Sequence, residues 1–224
     1  RSSEDERPTL IGPAATLAQG WRAPGGTFSV LSCGCDLVGL ADSARWDTVG
    51  EGVCSLPDEA KHARYAAFMC GVELFDHSRF GMSSAEASVI DPQQRVLLEH
   101  SLQVFRGSVS HGMHTGVFLG AWAGDYADAV SSSPVMDSIH YLTGTGPSNM
   151  AGRIAFAFDL HGPCIAADAA CSSALVAAHL ATRTLEKNEC QVGLTAGANI
   201  IFSPVFSVRM ARAGMTSILG RSAG

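Results

Sequence analysis

From residue 115 to residue 213, short apolar runs alternate with longer runs of helical spacing, and no other property of the sequence restricts the fold as strongly. Residues 115–119 (TGVFL) read as a buried strand, 148–160 as a helix, 163–167 as a strand and 172–187 as a helix. Residues 191–202 (QVGLTAGANIIF) read as a strand broken by glycines, and Pro204 opens a last helix through Ala213. Strands joined by helices of this length pair side by side in the same direction, so the spacing predicts a layered α/β domain with a mainly parallel sheet. Before this stretch, Asp91 is placed to cap a helix, Pro92 suits its first turn and Gly107 can end it. Leu98, Leu102 and Phe105 then fall on one stripe, and Arg106 sits at the negative end of the dipole. Met150, Ile154 and Phe158 form a second stripe, with Phe156 pointing elsewhere. The first turns of the 172–187 helix carry no charge, which predicts burial on most sides; Arg183 and Lys187 appear only near its C-terminus.

The first 26 residues are polar and then rich in Gly and Pro, and read as a tail or linker; residues 27–224 read as the domain, opened by a strand at 27–32. Residues 36–90 are mixed, with Phe75 and Phe80 as anchors. With 224 residues, 46% of them hydrophobic, the chain can bury a real core. A net charge of -6 argues against a nucleic-acid surface, and no apolar run reaches the roughly 18 residues of a membrane span. The start, Arg1 to Pro8, has neither a methionine nor a signal-peptide core, so the expectation is a cytoplasmic chain (a plastid or similar organelle stays open) and a fragment of a longer one.

The residues offer one nucleophile and several weaker candidates. Cys171 lies in Asp168-Ala169-Ala170-Cys171-Ser172-Ser173-Ala174, at a strand-to-helix junction where backbone N–H groups converge and the helix dipole favours a thiolate. An inert, small buried cysteine is the alternative that the spacing leaves open. The seven cysteines are odd in number and scattered, which suits reduced thiols. Cys33-x-Cys35 has no second pair to complete a zinc site, and His111-x-x-His114 sits in a Gly/Ser loop without a third ligand, so no metal and no bound cofactor is expected. Gly144-Thr145-Gly146 begins like a dinucleotide loop, but Asn149 stands where the third glycine belongs. His179 is expected to face the core or a helix neighbour, and no other histidine is marked as a general base.

Several segments together resemble the N-terminal half of β-ketoacyl synthases, most closely the ketosynthase domains of modular polyketide synthases. Phe75-Asp76 with Phe80-Gly81-Met82-Ser83 is similar to "FD…FFGIS", and Glu86-Ala87 with Asp91-Pro92-Gln93-Gln94-Arg95-Val96-Leu97-Leu98-Glu99 to "EA…DPQQRLLLE". Gly116 to Gly120 with Asp125-Tyr126 resembles "GVFVG…DY", and Thr143-Gly144-Thr145 with Ala151-Gly152-Arg153-Ile154 resembles "TGT…AGRIS". Gly162-Pro163 with Asp168 to Ser173 is similar to "GP…DTACSSS", and Ser203-Pro204 with Ala213-Gly214-Met215 to "SP…AGM". Ala169 stands for the commoner threonine, Ala174 for the third serine, and Ala155 for the serine after Ile154. The six segments run in order over about residues 27–221.

The resemblance implies a thiolase-like fold, of which this sequence is the N-terminal half, and makes Cys171 the acyl-accepting catalytic nucleophile. It implies acyl and malonyl thioesters carried on the phosphopantetheine of an acyl carrier protein, a decarboxylative Claisen condensation in polyketide or fatty-acid biosynthesis, and a homodimer. The family's two histidine motifs, "HGTGT" and "NIGH", are not in this sequence, so the expectation is an acyltransferase that accepts an acyl group and condenses poorly. Two alternatives accompany it: a non-catalytic partner of the same ancestry that binds carrier protein or another synthase, and an unrelated cysteine hydrolase.

Overall fold

The computed structural model describes residues 14–15, 32–42, 45–46, 58–105, 114–122 and 124–221. In chain order the strands are β1 (Gly39–Leu40), β2 (Tyr65–Ala66), β3 (Thr115–Ala121), β4 (Cys164–Ala167) and β5 (Val192–Ala198). The α-helices are α1 (Ser84–Val89), α2 (Pro92–Phe105), α3 (Gly124–Val130), α4 (Tyr141–Thr145), α5 (Pro147–Ala157), α6 (Ser173–Glu186) and α7 (Pro204–Arg212). The tail apart from Ala14 and Ala15, the strand expected at 27–32 apart from Ser32, and Arg106 and Gly107 lie outside the described residues.

The chain divides into two units. The larger, from 72–123 and 133–199, is built on a parallel sheet of order β4-β3-β5, as the alternation of runs predicts. All seven residues of β3 are buried, because helices cover both of its faces. Side chains alternate across the pleat. Val117, Leu119, Ala121 and Leu194 join Leu97 and Leu98 of α2, Met150 and Ile154 of α5, and Phe158 in one core. Phe118 points the other way, onto Ala177 and Ala181 of α6. The glycines expected to break β5 do not break it. Gly193 and Gly197 pair with Gly116 and Gly120 of β3 and share the α6 side of the sheet, so the strand runs unbroken to Ala198 and stops short of the predicted Phe202.

Asp91 caps α2 as predicted: its Oδ1 accepts the Gln93 N–H at 2.8 Å and its Oδ2 accepts the Gln93 Nε2 at 3.1 Å, with the carboxylate fully buried. Phe75 and Phe80 stack at 5.4 Å and pack on the main core. Helix α5 ends at Ala157, three residues before the predicted Leu160. Asp159 takes a left-handed φ of 54°, which lets the Leu160 N–H reach Ala155 O and the Asp159 N–H reach Phe156 O, closing the helix with a Schellman-type turn.

Helix α6 corrects a second expectation. Only Ser173, Ala177, Ala181 and Thr184 are buried, a single stripe against the sheet. Leu175 is 77% exposed and His179 is exposed rather than in the core. Among the described residues nothing covers the outer side of α6, so its first turns are buried on the sheet side alone. No described helix is long and apolar enough to cross a membrane.

The smaller unit draws on 15–71, 124–132 and 200–224. It pairs β1 with β2 antiparallel, sets the Trp46 ring edge-on to Phe68 at 5.2 Å, and ties Arg209 of α7 to Asp128 of α3 at 2.7 Å. Asp125 of α3 is buried and accepts the Phe202 N–H at 2.6 Å and the Ser203 N–H at 3.3 Å, and the Tyr126 and Phe202 rings pair edge-on at 5.4 Å. Burial pushes its carboxyl up, and the two N–H donors only partly oppose this. A raised acid gives its full contribution below the unfolded value and loses it as pH rises through the folded value. Asp125→Asn keeps an acceptor without the charge, so thermal melts from about pH 4 to pH 7 should show a flatter dependence in the variant than in the native chain. Equal slopes would mean that the charge is not what limits this unit.

Candidate active site

Cys171 lies on the turn that carries the chain from β4 into α6, and it is exposed. Every residue of the turn before it has a fixed partner. Asp168 Oδ1 accepts the Ala170 N–H at 3.0 Å. Ser172 Oγ donates to Ala169 O at 2.6 Å, and the Ser172 N–H reaches the same oxygen at 3.2 Å. Ser173 Oγ accepts the Ala169 N–H at 2.8 Å and donates to Ala170 O at 2.7 Å. Ala170 has φ +52°, a left-handed conformation that costs an L-residue other than Gly, Asn or Asp about 1–2 kcal/mol. The turn thus presents Cys171 outward from a strained backbone held by its neighbours.

The head of α6 carries no side-chain cap. Ser172 is its N-cap residue, yet it makes no side-chain bond to the helix N–H groups, since its hydroxyl points back to Ala169 O. The Ser173 N–H is taken by Ala170 O at 3.1 Å, which leaves the N–H groups that follow it in the first turn to carry the partial positive charge of the helix end. Close approach of the helix to the sheet depends on glycine. A Cβ on Gly120 would overlap Ser173 C and lie 2.5 Å from Ala174 N, and one on Gly197 would lie 2.8 Å from the Ala174 Cβ. Gly120 and Gly197 are register partners, so together they make a flat place on which the turn rests.

The other thiols are set differently. Burial pushes the Cys190 thiol up, and partial desolvation by its neighbours pushes up the Cys164 thiol although that residue is exposed. Cys33 and Cys35 are exposed and free, and among the described residues no three His, Cys, Asp or Glu side chains come together as a metal site. His111 lies outside the described residues, so its pairing with His114 is not described. Gly144 and Gly146 belong to the junction of α4 and α5, where Gly144 O accepts the Asp91 N–H at 2.8 Å, a packing role with no open loop for a nucleotide. No hydrogen bond joins Cys171 to a histidine among the described residues: His62 meets Thr216, His77 meets Met82 O, and His161 pairs with Asp159.

Sequence reasoning singled out Cys171 but gave no role to Ser173, Gly120 or Gly197. A signal for the glycines was available: Gly116 to Gly120 (GVFLG) and Gly193 to Gly197 (GLTAG) repeat one spacing in two strands, as a helix lying close on a sheet requires.

Comparison with known proteins agrees with this geometry. A family model described as "Beta-ketoacyl synthase, N-terminal domain" matches residues 9–223. The polyketide synthase GfsB of Streptomyces halstedii is 37% identical over 97% of the chain and 4% of its own length. A mycocerosic acid synthase-like polyketide synthase of Mycolicibacterium smegmatis is 34% identical over 94% of the chain and 10% of its own length. The chain therefore spans a small part of each of these relatives. Among solved structures, the oxazolomycin ketosynthase domain OzmH KS7 of Streptomyces albus JA3453 superposes with a TM-score of 0.79 at 27% identity, covering 92% of the chain and 37% of that domain. A ketosynthase from module 6 of the bacillaene synthase of Bacillus subtilis 168 shares the fold, with a TM-score of 0.82 at 24% identity over 95% of the chain and 35% of its own.

Proposed function

The chain belongs to the β-ketoacyl synthase family as an N-terminal domain of the thiolase-like fold, and on that premise we propose that Cys171 is the acyl-accepting nucleophile of a polyketide ketosynthase. The observation that carries this reading is the exposure of Cys171 on a left-handed turn at the head of α6, inside the segment that matches the family's cysteine motif. The Cys171 thiolate attacks the carbonyl of an acyl thioester and a tetrahedral oxyanion forms. Its collapse breaks the old C–S bond, leaving the acyl group on Cys171 and releasing the pantetheine thiolate, which takes up a proton. The Cys171 N–H, at the head of α6, is the donor to the oxyanion.

The acyl group arrives on the phosphopantetheine of an acyl carrier protein, and the second substrate is a malonyl-type thioester. Condensation with it calls on the family's two histidines, and no histidine of this sequence takes their place. The acyl-accepting half-reaction is therefore the one these residues carry. The homodimer expected of the family forms part of the same reading. Among the described residues β4 has only β3 beside it, and it exposes Cys164 and Ile165, which supports a free sheet edge there.

Incubation with an acyl-pantetheine thioester tests the reading. One acyl group per chain is expected, on the peptide that contains Cys171, with release of an equal amount of pantetheine thiol. An acyl group on any other cysteine, or none, would overturn it in favour of a non-catalytic partner. Continuous release of free acid without a stable adduct would overturn it in favour of a hydrolase.

A further inference from the structure

We infer that Ser173 is a positioning residue for Cys171: its buried hydroxyl locks the left-handed turn that aims the nucleophile. The inference rests on the reading of Cys171 as the acyl acceptor and goes beyond it by naming the group that sets the direction of attack.

Ser173 is only 5% exposed and belongs to the first turn of α6, so its own place is set by the helix and by the close approach of Gly120. From there one hydroxyl holds both sides of a single peptide unit's neighbourhood, accepting from the Ala169 N–H and donating to Ala170 O. These two groups bracket Ala170, the residue with φ +52°. Alanine has no side-chain group with which to favour that conformation for itself, as asparagine or aspartate would. The conformation must therefore be imposed from outside, and Ser173 is the buried group that grips it at both ends. Asp168 adds a third tie through the Ala170 N–H, but from an exposed position where water competes. Cys171 follows Ala170 directly, so a rotation at Ala170 swings the Cα–Cβ bond of Cys171 and moves the sulfur.

Ser172 does not share this role. Its hydroxyl is exposed and reaches only Ala169 O, an oxygen the Ser172 N–H already serves. The loss of a hydroxyl at 173 differs in kind: Ala170 O keeps the Ser173 N–H at 3.1 Å, but the Ala169 N–H loses the hydroxyl oxygen that accepts it and no backbone group takes its place.

The test compares the native chain with Ser173→Ala and Ser173→Thr on two reactions of Cys171. Acyl transfer from an acyl-pantetheine thioester needs a set line of attack, whereas alkylation by iodoacetamide across pH reports how much thiolate is present. Ser173→Ala should accept the acyl group about 10- to 100-fold more slowly, the range expected when a reacting atom is misplaced by about an ångström. Its alkylation should keep the native midpoint in pH, and Ser173→Thr should recover most of the acylation rate because it keeps the hydroxyl. Urea midpoints measured alongside show that both variants are folded under the assay conditions. Native-rate acylation of Ser173→Ala would overturn the inference, as would a loss that Ser173→Thr does not restore or one matched by a shifted alkylation midpoint. A native chain that takes up no acyl group at Cys171 would instead overturn the proposed function, and this inference with it.

Discussion

Gly120→Ala should destabilise the larger unit by about 3 kcal/mol or more, a large share of the roughly 5–15 kcal/mol that holds a domain folded. The added methyl group has nowhere to go. It would overlap Ser173 C and lie 2.5 Å from Ala174 N and from Ser173 O, all backbone atoms of the turn and of the first residues of α6. Side-chain rotation cannot relieve a clash with backbone, so either β3 or the head of α6 must move. Moving β3 disturbs its pairing with β4 and β5 on either side, and moving α6 uncovers Phe118, which is fully buried against Ala177 and Ala181. Gly197→Ala provides the contrast. Its methyl would meet the Ala174 Cβ at 2.8 Å, a side-chain atom, so Ala174→Gly should rescue Gly197→Ala and should fail to rescue Gly120→Ala. Urea unfolding of the two single and two double variants checks this, and equal rescue of both would show that the helix head is free to shift away from the sheet. Because the same backbone carries Cys171, Gly120→Ala should also lose the proposed acyl transfer even where some folded protein remains.

The sequence made the sheet and its helices legible because their signals are local. TGVFL and CIAA are short apolar runs, and the Leu98, Leu102, Phe105 and Met150, Ile154, Phe158 stripes need only helical spacing to be read. What it did not disclose depends on contacts between distant segments. The glycines of β5 look like strand breakers in one dimension, and only the register with β3 shows that they make a surface for α6. The lack of charge at the start of α6 reads as all-round burial, yet a helix lying on one sheet buries one stripe and leaves Leu175 and His179 in solvent. The end of α5 went unread for another reason. Its stop is made by Asp159 in a left-handed conformation, where glycine would have signalled the turn and aspartate does not. At the candidate site, Cys171 stands out by its place between a strand and a helix. Ser173 does not, because a serine in the first turn of a helix is common and its partners are visible only once Ala170 is seen to be left-handed.

Arg153→Met should cost the larger unit about 3 kcal/mol, because Arg153 braces three helices through one guanidinium. Its Nε donates to Gln94 Oε1 of α2 at 2.7 Å, and its Nη1 meets Glu86 Oε1 of α1 at 2.5 Å, with the two charged side chains only 14% and 24% exposed. Gln94, almost wholly buried, hands the link on: its Nε2 donates to Gly144 O at 2.7 Å, the same oxygen that accepts the Asp91 N–H. Removing the guanidinium leaves a half-buried carboxylate and a buried amide oxygen without their donor, which costs more than the pair contributes when intact. Arg153→Lys keeps the charge but offers no planar fork to reach two acceptors at once, so it should recover only part of the loss. Arg153→Met in a Glu86→Gln background should cost clearly less than in the native chain, since the stranded charge is gone. A loss below about 0.5 kcal/mol in urea unfolding would place this pair with ordinary surface ion pairs and defeat the argument. The residues involved are those of the segments 86–99 and 143–154, which carry much of the family resemblance. Their shared pattern is thus accounted for by a buried polar brace that sets α1, α2 and α5 against one another, while the proposed chemistry rests on the short turn from Asp168 to Ser173.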